Sequence, residues 1–455
     1  MSINGLFQTG RNSIRTLESA MQAAGHNVAN ADTAGFHRRR LDVRSLGVAN
    51  AGIMMRPGQG SFGGVGVGVA GFSRTRDAML EGAAWQAQAG LGSAEENVRL
   101  GSALEAVLNP ETAGSINGTL RSFWASWGDA VNTPTDTGVR RVLLNQASTL
   151  ASSFRRLDGD LTRLQEEQVG SLDGHVGNAN ALLGTIAGLN DRIAAARTAG
   201  TPDLDAEDTR DEAVRALGGL VPVRVTEEAD GSYSVAVQGM KAVQGREVLE
   251  LERVGPPDNP TYAVRFKGTS VALLPGDGAD TGRIGAALSG LTVALPQARQ
   301  ALDALAARLV SDVNGLHTAG FGLDGTSGRP FFDPTGTTAS SLSVAITDPA
   351  HVALSGATGA PGDTSVGRAL AELGAGFDEE ALGLSAAAGR ALSRARTEAD
   401  ARGGLADHLD ALAGGVSGVS IDEEMTSLIR YQQAYAASAR VIETARDLFD
   451  TLLAL

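Results

Sequence analysis

The sequence predicts a mainly α-helical protein with an inserted β-rich domain, in which the N- and C-terminal helices pair as a coiled-coil-like terminal domain. Three patterns lead to this fold class. Apolar or small residues recur at alternating steps of three and four between positions 7 and 28. Valines alternate with other residues on both sides of an Asp-Gly dipeptide near position 230. Large apolar residues recur every seven positions between 421 and 449. The first and third patterns indicate helices that pack on other helices, and the second indicates a β-hairpin.

The first predicted helix carries an a/d heptad stripe, the pattern by which one helix packs against another. The stripe consists of Phe7, Gly10, Ile14, Leu17, Met21, Ala24 and Val28. The run 27–35 is rich in turn-forming residues and is predicted to end this helix. Residues 36–75 contain several Arg and then many Gly, so we expect them to be extended or irregular.

Residues 77–200 are rich in Ala, Leu, Gln and Glu, which predicts helices with breaks near Asn109-Pro110 and Thr133-Pro134. The character changes after Pro202. Alternating valines flank Asp230-Gly231 and predict a hairpin there, and further strands are expected near 248–251 and 262–266.

Helices are predicted again at 284–317 and 378–413, with Gly414-Gly415 ending the second. The last helix is expected at about 421–454. Its seven-residue stripe consists of Ile421, Leu428, Tyr435, Ile442 and Phe449. A second apolar stripe consists of Val441, Ala445, Leu448, Leu452 and Leu455. Two stripes predict that this helix is covered on more than one side.

These elements suggest three domains. Residues 1–75 with 418–455 form the terminal helical domain. Residues 76–212 with 286–417 form a helical middle domain, and residues 213–285 form a small β-rich outer domain.

Composition excludes several classes of function. The chain has 455 residues, a net charge of −14 and no cysteine. The charge argues against nucleic acid as a partner, and the missing cysteines exclude disulfides, thiolate metal sites and cysteine nucleophiles. Residues 1–76 carry a net charge of +6. This basic arm either binds a partner of its own or is an Arg-rich turn exposed to solvent. No apolar stretch approaches the ~18–20 residues of a membrane span, and we expect no cleavable secretory signal.

The sequence offers no candidate catalytic, cofactor-binding or metal-ligating residue. Residues 58–63 match G-x-G-x-x-G but lack the flanking strand and helix of a dinucleotide site. The acidic run 203–212 lacks the Gly of an EF-hand, so we expect a solvated loop that leads into a helix. The histidines show no H-x-x-x-H spacing. The competing enzyme hypothesis is a peptidase in the inserted β-rich domain. The sequence has no His-Glu-x-x-His motif to support it.

Both ends of the chain resemble the bacterial flagellar rod/hook axial family. After the first helix, the sequence follows the family pattern N-x-A-N-x-x-T-x-G-aromatic, with Ala34 where the family usually has Pro. The matching residues are Asn27, Asn30, Thr33, Gly35 and Phe36. In the last helix, the resemblance is to the hook-associated members of the family. It rests on Arg430, Tyr431, Gln432 and Gln433 and on the residues around them.

The resemblance implies a structural, non-enzymatic protein of the hook–filament junction, exported through the flagellar type III channel. Its implied partners are copies of itself in a ring, the hook protein on one side, a second hook-associated protein or the filament on the other, and an export chaperone. It implies no cofactor, no nucleic acid and no membrane contact. A hook, rod or filament subunit of the same family is the alternative.

The assembly surface is predicted to lie along the terminal stripes. Its expected residues are Ile14, Leu17, Met21, Val28, Leu428, Tyr435, Ile442, Phe449 and Leu452. Since short helices are marginal in water, we expect the termini to be loose in the monomer and to fold on assembly; stable pairing of the two termini in isolation is the alternative. Arg38, Arg39 and Arg40 are expected to pair with acids of a neighbouring subunit.

Overall fold

The computed structural model describes residues 3–33, 35–46, 66–109, 114–256, 261–273 and 281–453. Its helices are α1 Ile3–Ala29, α2 Ala78–Val107, α3 Ile116–Asn132, α4 Thr137–Thr198, α5 Leu204–Leu220, α6 Gly282–Ser289, α7 Leu295–His317, α8 Ser365–Glu372, α9 Gly374–Ser417 and α10 Ile421–Leu453. Its strands are β1 Arg39–Ser45, β2 Val67–Arg74, β3 Val223–Glu227, β4 Tyr233–Val237, β5 Met240–Gln244, β6 Glu247–Val248, β7 Leu251–Val254, β8 Ala263–Phe266 and β9 Ala272–Leu273. The predicted mainly α-helical fold with a small β-rich insertion is confirmed.

The terminal unit, defined as α1, β1, β2 and α10, is built from both ends of the chain. Strands β1 and β2 pair antiparallel as a hairpin, with Arg39 opposite Arg74 and Ser45 opposite Val67. Helix α1 packs on this hairpin and on α10. The Gly-rich motif at 58–63 lies outside the described residues.

The body of the molecule consists of α2–α9 and the sheets inserted between α5 and α6. One apolar core joins α3, α4, α7, α8 and α9. At its centre, Trp127 and Phe123 are fully buried against the rings of Phe331 and Phe332. Helix boundaries follow local chemistry, since Asp136 caps α4 by accepting hydrogen bonds from the backbone N–H of residues 138 and 139.

The β-rich region forms two small antiparallel sheets, in the orders β3-β4-β5-β6 and β7-β8-β9. The predicted hairpin at Asp230-Gly231 joins β3 to β4, with Gly231 at φ +84°. Two asparagines of α4 fasten the sheets. Asn190 accepts from the N–H of Tyr233 and donates to its C=O, both at 2.8 Å, and Asn180 makes the same pair of bonds with Leu251. A second apolar core joins these sheets to α4, α5 and α6. The hydrogen bonds of the two asparagines fix the sheets to α4 beside this core.

The described strands lie within 223–273, and the predicted segment 213–285 also takes in the end of α5. Two local expectations are corrected. Gly414-Gly415 does not end α9, which runs to Ser417 and closes where the N–H of Gly418 donates to the C=O of Gly414. The predicted helix at 284–317 contains a π-helical turn, Gly290–Ala294, at which Gly290 lies directly against Leu100. A Cβ at residue 290 would stand 2.5 Å from Cδ2 of Leu100, so a larger residue there would displace the leucine side chain.

Candidate assembly interface

Helices α1 and α10 lie side by side in antiparallel orientation. Gly10 lies against Ile442, and further along the pair the Tyr435 hydroxyl stands 3.5 Å from Oε1 of Glu18. The residue numbers therefore rise along one helix as they fall along the other. At the far end, Arg38 lies 2.7 Å from Glu424 and 3.1 Å from Glu423. This contact ties the start of α10 to the chain that leaves α1.

The inner face of α10 follows a strict heptad. Its members alternate in steps of four and three, and each is buried or half-buried: Glu424, Leu428, Tyr431, Tyr435, Ser438, Ile442 and Ala445. The facing stripe of α1 includes the buried small residues Gly10, Ala20 and Ala24. Small side chains let the two backbones approach closely, which makes this contact intolerant of added volume.

The predicted interface residues have different placements. Ile14, Leu17, Met21 and Val28 are half-buried, and their spacing puts them on the face of α1 that carries Gly10. Leu428, Tyr435 and Ile442 are half-buried on the inner face of α10. Phe449 is 47% exposed, and the side chain of Leu452 lies outside the described part of the chain.

Helix α10 carries large apolar side chains that the chain leaves about half exposed, which we call its outer residues. They are Ile421, Met425, Ile429, Val441, Leu448 and Phe449, each between 43% and 52% exposed. The sequence predicted burial of the second stripe, and this is wrong for the single chain: Ala445 is buried, but Val441 and Leu448 are exposed. The hairpin has an exposed apolar face of its own, at Val43, Val67, Val69 and Phe72.

The N-terminal motif residues form a joint between α1 and β1. Asn27, only 1% exposed, donates to the C=O of Arg39 at 3.0 Å and accepts from its N–H at 2.9 Å. Asn30 closes the end of α1 by donating to the C=O of His26 at 2.9 Å, and Thr33 donates to Asn30. These hydrogen bonds fix the direction in which the chain leaves α1.

Two further motif residues complete this joint. Gly35 turns the chain at φ +74°, where a side chain would be strained. The Phe36 ring lies 5.5 Å from the His26 ring and 5.3 Å from the Arg39 guanidinium. The motif residues therefore have a local structural role: they end α1 and position the start of β1. In the C-terminal motif, Tyr431 is half-buried on the inner face, whereas Arg430, Gln432 and Gln433 are exposed.

Comparison with known proteins identifies the family. Residues 101–332, half of the chain, match the model of the flagellar hook-associated protein FlgK helical domain. The chain belongs to the FlgK family of flagellar hook-associated proteins. Residues 415–455 also match the model of the flagellar basal body rod FlgEFG protein C-terminal region, so the FlgK-family body ends in a helix of the wider axial type.

Relatives of the family align over nearly the whole chain. The flagellar hook-associated protein 1 of Bacillus subtilis is 26% identical over 98% of this chain and 97% of its own length. Its namesake in Salmonella typhimurium is 25% identical over 99% and 100%. The second alignment spans 562 residues, more than the 455 of this chain, so that relative contains segments that this chain lacks. A solved structure of the hook junction protein FlgK from Burkholderia pseudomallei covers 56% of this chain and 46% of its own, with 26% identity and a TM-score of 0.49.

Neither a metal site nor a membrane-spanning helix is found among the residues that the structure describes. No group of three or more His, Asp or Glu side chains there is arranged to hold a metal ion. No helix among those residues is both long and apolar enough to cross a bilayer. The candidate interface of this FlgK-family chain is the surface of the terminal helix pair, α1 and α10.

The acidic run 203–212 corrects a prediction of the sequence. It is not a solvated loop but the start of α5, with Asp203 as the N-cap. Glu207, Asp208 and Asp211 are buried against arginines of the terminal unit and its connecting segments. Within the single chain, Arg38 pairs with Glu423 and Glu424, Arg39 with Asp205, and Arg40 with Asp42. The expected pairing of Arg38–Arg40 with a neighbouring subunit stays a prediction.

Proposed function

We propose that this protein forms a ring of like subunits at the junction between flagellar hook and filament, and that it assembles through α1 and α10. Membership of the FlgK family supports the place in the flagellum, because relatives aligned over their full length are named flagellar hook-associated protein 1. The observation that carries the assembly role is the set of half-exposed large apolar side chains on α10.

The physical reason is the free energy of that apolar surface. Burial of a Leu, Ile, Met or Phe side chain stabilises by ~1.5–3 kcal/mol relative to full exposure. The outer residues of α10 are about half covered, so each retains part of this gain for a contact with another molecule. Several large apolar side chains left half exposed on one helix are typical of an interaction surface. The α1–α10 pair then extends into a coiled-coil-like contact between neighbouring subunits.

The proposal includes the remaining expectations from the sequence. The terminal domain comprises 1–75 with 418–455, the middle domain 76–212 with 286–417, and the outer domain 213–285. The hook protein lies on one side of the ring, and a second hook-associated protein or the filament on the other. Export proceeds without a cleaved signal and with a chaperone. We infer no enzymatic role.

The function is tested in cells that lack the gene, by electron microscopy of the flagella and an assay of flagellin in the medium. Bare hooks with secreted flagellin support the junction. Loss of the hooks themselves supports the alternative, a rod or hook subunit, which the match of the C-terminal helix to the rod-protein model favours. Intact, working flagella contradict both.

The assembly surface is tested by the double variant Ile429→Glu/Leu448→Glu in the same cells. Two charges among the outer residues of α10 disfavour burial against another subunit, so motility is not restored and flagellin escapes into the medium. Gln433→Glu adds a charge at an exposed polar position of the same helix and serves as the matched control. Restored motility with the double variant contradicts assembly through α10.

A further inference from the structure

The terminal unit is joined to the body through a cluster of charged side chains rather than through an apolar core. Helix α1, the hairpin and α10 pack chiefly on one another. Among the described residues, neither apolar core includes a side chain of the terminal unit. The contacts between unit and body are made where the chain enters and leaves the hairpin, at residues 37–39 and 74–76, against α2, α5 and β3.

Arg74, at the end of β2, is the centre of this cluster. Its side chain is 3% exposed and its guanidinium reaches three carboxylates of α5. It lies 2.8 Å from Glu207 and 2.7 Å from both Asp208 and Asp211. Burial opposes its charge, but the three carboxylates outweigh this and raise the Arg74 pKa. A buried cation so closely surrounded is a fixed point of attachment.

His37 lies beside Arg74 and contacts two acids at once. Its Nδ1 stands 2.8 Å from Oδ1 of Asp208 on α5, and its Nε2 stands 3.1 Å from Oε1 of Glu81 on α2. A neutral imidazole has one N–H and would turn a lone pair toward the other carboxylate. The geometry therefore requires both nitrogens to donate, which is the imidazolium form.

The electrostatic surroundings of His37 agree with this assignment. Burial disfavours its charge, but the hydrogen bonds to Asp208 and Glu81 outweigh burial and the nearby Arg74, and they raise the pKa of His37 to about 9. The other charged groups that face this site are Arg39 of β1, paired with Asp205 and Asp208, and Arg76, paired with Glu81 and with Glu227 of β3.

Within the described part of the chain, the ion pairs link six carboxylates: Glu81, Asp205, Glu207, Asp208, Asp211 and Glu227. Five guanidiniums face them: Arg39, Arg74, Arg76, Arg197 and Arg210. Arg210 joins the set through the Tyr233 ring, 3.4 Å below its guanidinium. Only four of these guanidiniums form ion pairs with the six carboxylates, so protonated His37 reduces an excess of negative charge in the cluster.

We propose that protonated His37 closes an ionic latch that holds the terminal unit in one orientation against the body. Loss of this one proton leaves a buried excess of negative charge at the joint, and the joint opens while both units keep their own packing. The latch works within a single chain, so it goes beyond the proposed assembly role and is tested without assembly.

The direction of the pH dependence follows from the raised pKa. The unfolded value is about 6.5 and the folded value about 9, so the latch contributes its full stabilisation below pH 6.5. That contribution falls as pH rises through 9. High salt weakens the exposed members of the cluster in the same sense.

The test uses spin-label distances in the full-length monomer. The chain has no cysteine, so Ser45→Cys on the hairpin and Ala181→Cys on α4, both exposed, give a single labelled pair. At pH 7 we expect a narrow distance distribution, which broadens at least about twofold with a midpoint near pH 9. Adding His37→Gln gives the broad distribution already at pH 7, with unchanged far-UV circular dichroism.

Two further variants separate charge from shape. His37→Gln/Asp208→Asn restores the net charge of the cluster, and we expect it to narrow the distribution again at pH 7. His408→Gln, at an exposed histidine of α9 outside the cluster, is the matched control and leaves the pH profile unchanged. Should His37→Gln keep a narrow distribution at pH 7, or should NMR titration of His37 give a pKa near 6.5, the latch is refuted. If His37→Gln does not fold, the NMR titration of the unsubstituted chain decides alone.

Discussion

Gly10 of α1 lies so close to Ile442 of α10 that a Cβ at residue 10 would stand 2.5 Å from Cγ1 of that isoleucine. The sequence shows Gly10 as a weak point in an otherwise apolar stripe. In the structure it is a point of close contact between the terminal helices. The small residue is thus part of the contact rather than a defect in it.

Gly10→Val is expected to separate α1 from α10. The added volume costs ~1–3 kcal/mol of pairing free energy, which exceeds the gain in helix propensity over Gly. The measurement is amide exchange of α10 in the monomer, which should become faster. Gly25→Ala is the control, because nothing lies within 4 Å of a Cβ there, and it should stabilise α1 by up to ~1 kcal/mol. Equal effects of the two substitutions would contradict the close contact.

Gly92→Ala is expected to destabilise the body. A Cβ at residue 92 of α2 would stand 2.1 Å from the carbonyl oxygen of Gly219 in α5, and backbone cannot move aside as a side chain can. We expect a loss of ~1–3 kcal/mol in the free energy of unfolding, measured by urea denaturation. Gly82→Ala, in the same helix with open space around it, should be neutral or stabilising. A stable Gly92→Ala protein would show that α2 and α5 are less closely packed.

His317 is expected to make the body sensitive to acid. It is buried with Nδ1 donating to the C=O of Arg329 and Nε2 accepting from the N–H of Ala353, which fixes the neutral form. Burial lowers the pKa of His317 to about 4. The unfolded chain takes up the proton near pH 6.5 and the folded chain does not, so stability falls as pH falls from 6.5 to 4, by about 3 kcal/mol.

The measurement for His317 is the free energy of unfolding at pH 7, 5.5 and 4. His317→Gln should lower stability at pH 7 but lose this part of the acid dependence. His37 contributes the same pH dependence to both proteins, so it cancels when the variant is compared with the unsubstituted chain. Parallel pH profiles for the variant and the unsubstituted chain would show that His317 is not held neutral.

The terminal helices are expected to exchange their amides faster than α4 in the monomer. Among the described side chains of α10, only Glu424 and Ala445 are buried, so one chain supplies little apolar burial to offset the ordering of two long helices. Hydrogen exchange by mass spectrometry should show residues 5–29 and 421–451 protected for much shorter times than 143–193. Full protection of both ends in the monomer would favour the alternative, stable pairing in isolation.

Several elements follow from local sequence because their causes are local. The predicted break near Pro134 separates α3 from α4, since proline disfavours the helical conformation of the residue before it. Helix α2 ends at Val107, before the predicted break at 109–110. Asp230-Gly231 forms the turn of a hairpin, since Gly readily adopts positive φ. The motif from Asn27 to Phe36 marks the end of α1, because its side chains bond to nearby backbone. For these the residue and its structural reason lie within a few positions of each other.

Other features depend on residues that are far apart in the chain. The acids of 203–212 are predicted to be solvated because their neighbours in sequence are polar; their actual neighbours, His37 and Arg74, lie more than 130 residues away. The second stripe of α10 has the spacing of a buried face, but spacing does not state whether the covering surface belongs to the same chain. For Val441 and Leu448 the single chain supplies only about half of the expected burial.

The sequence alone determined that both ends of the chain are helices with heptad stripes, that a β-rich region interrupts the helices, and that the ends resemble the flagellar axial family. These are properties of period, turn chemistry and motif. Only the tertiary structure decided which face of α10 is covered, that Gly10 lies against Ile442, and that His37 joins the hairpin to α2 and α5. The reason is physical: burial and charge pairing are set by distances between residues that the chain brings together only when it folds.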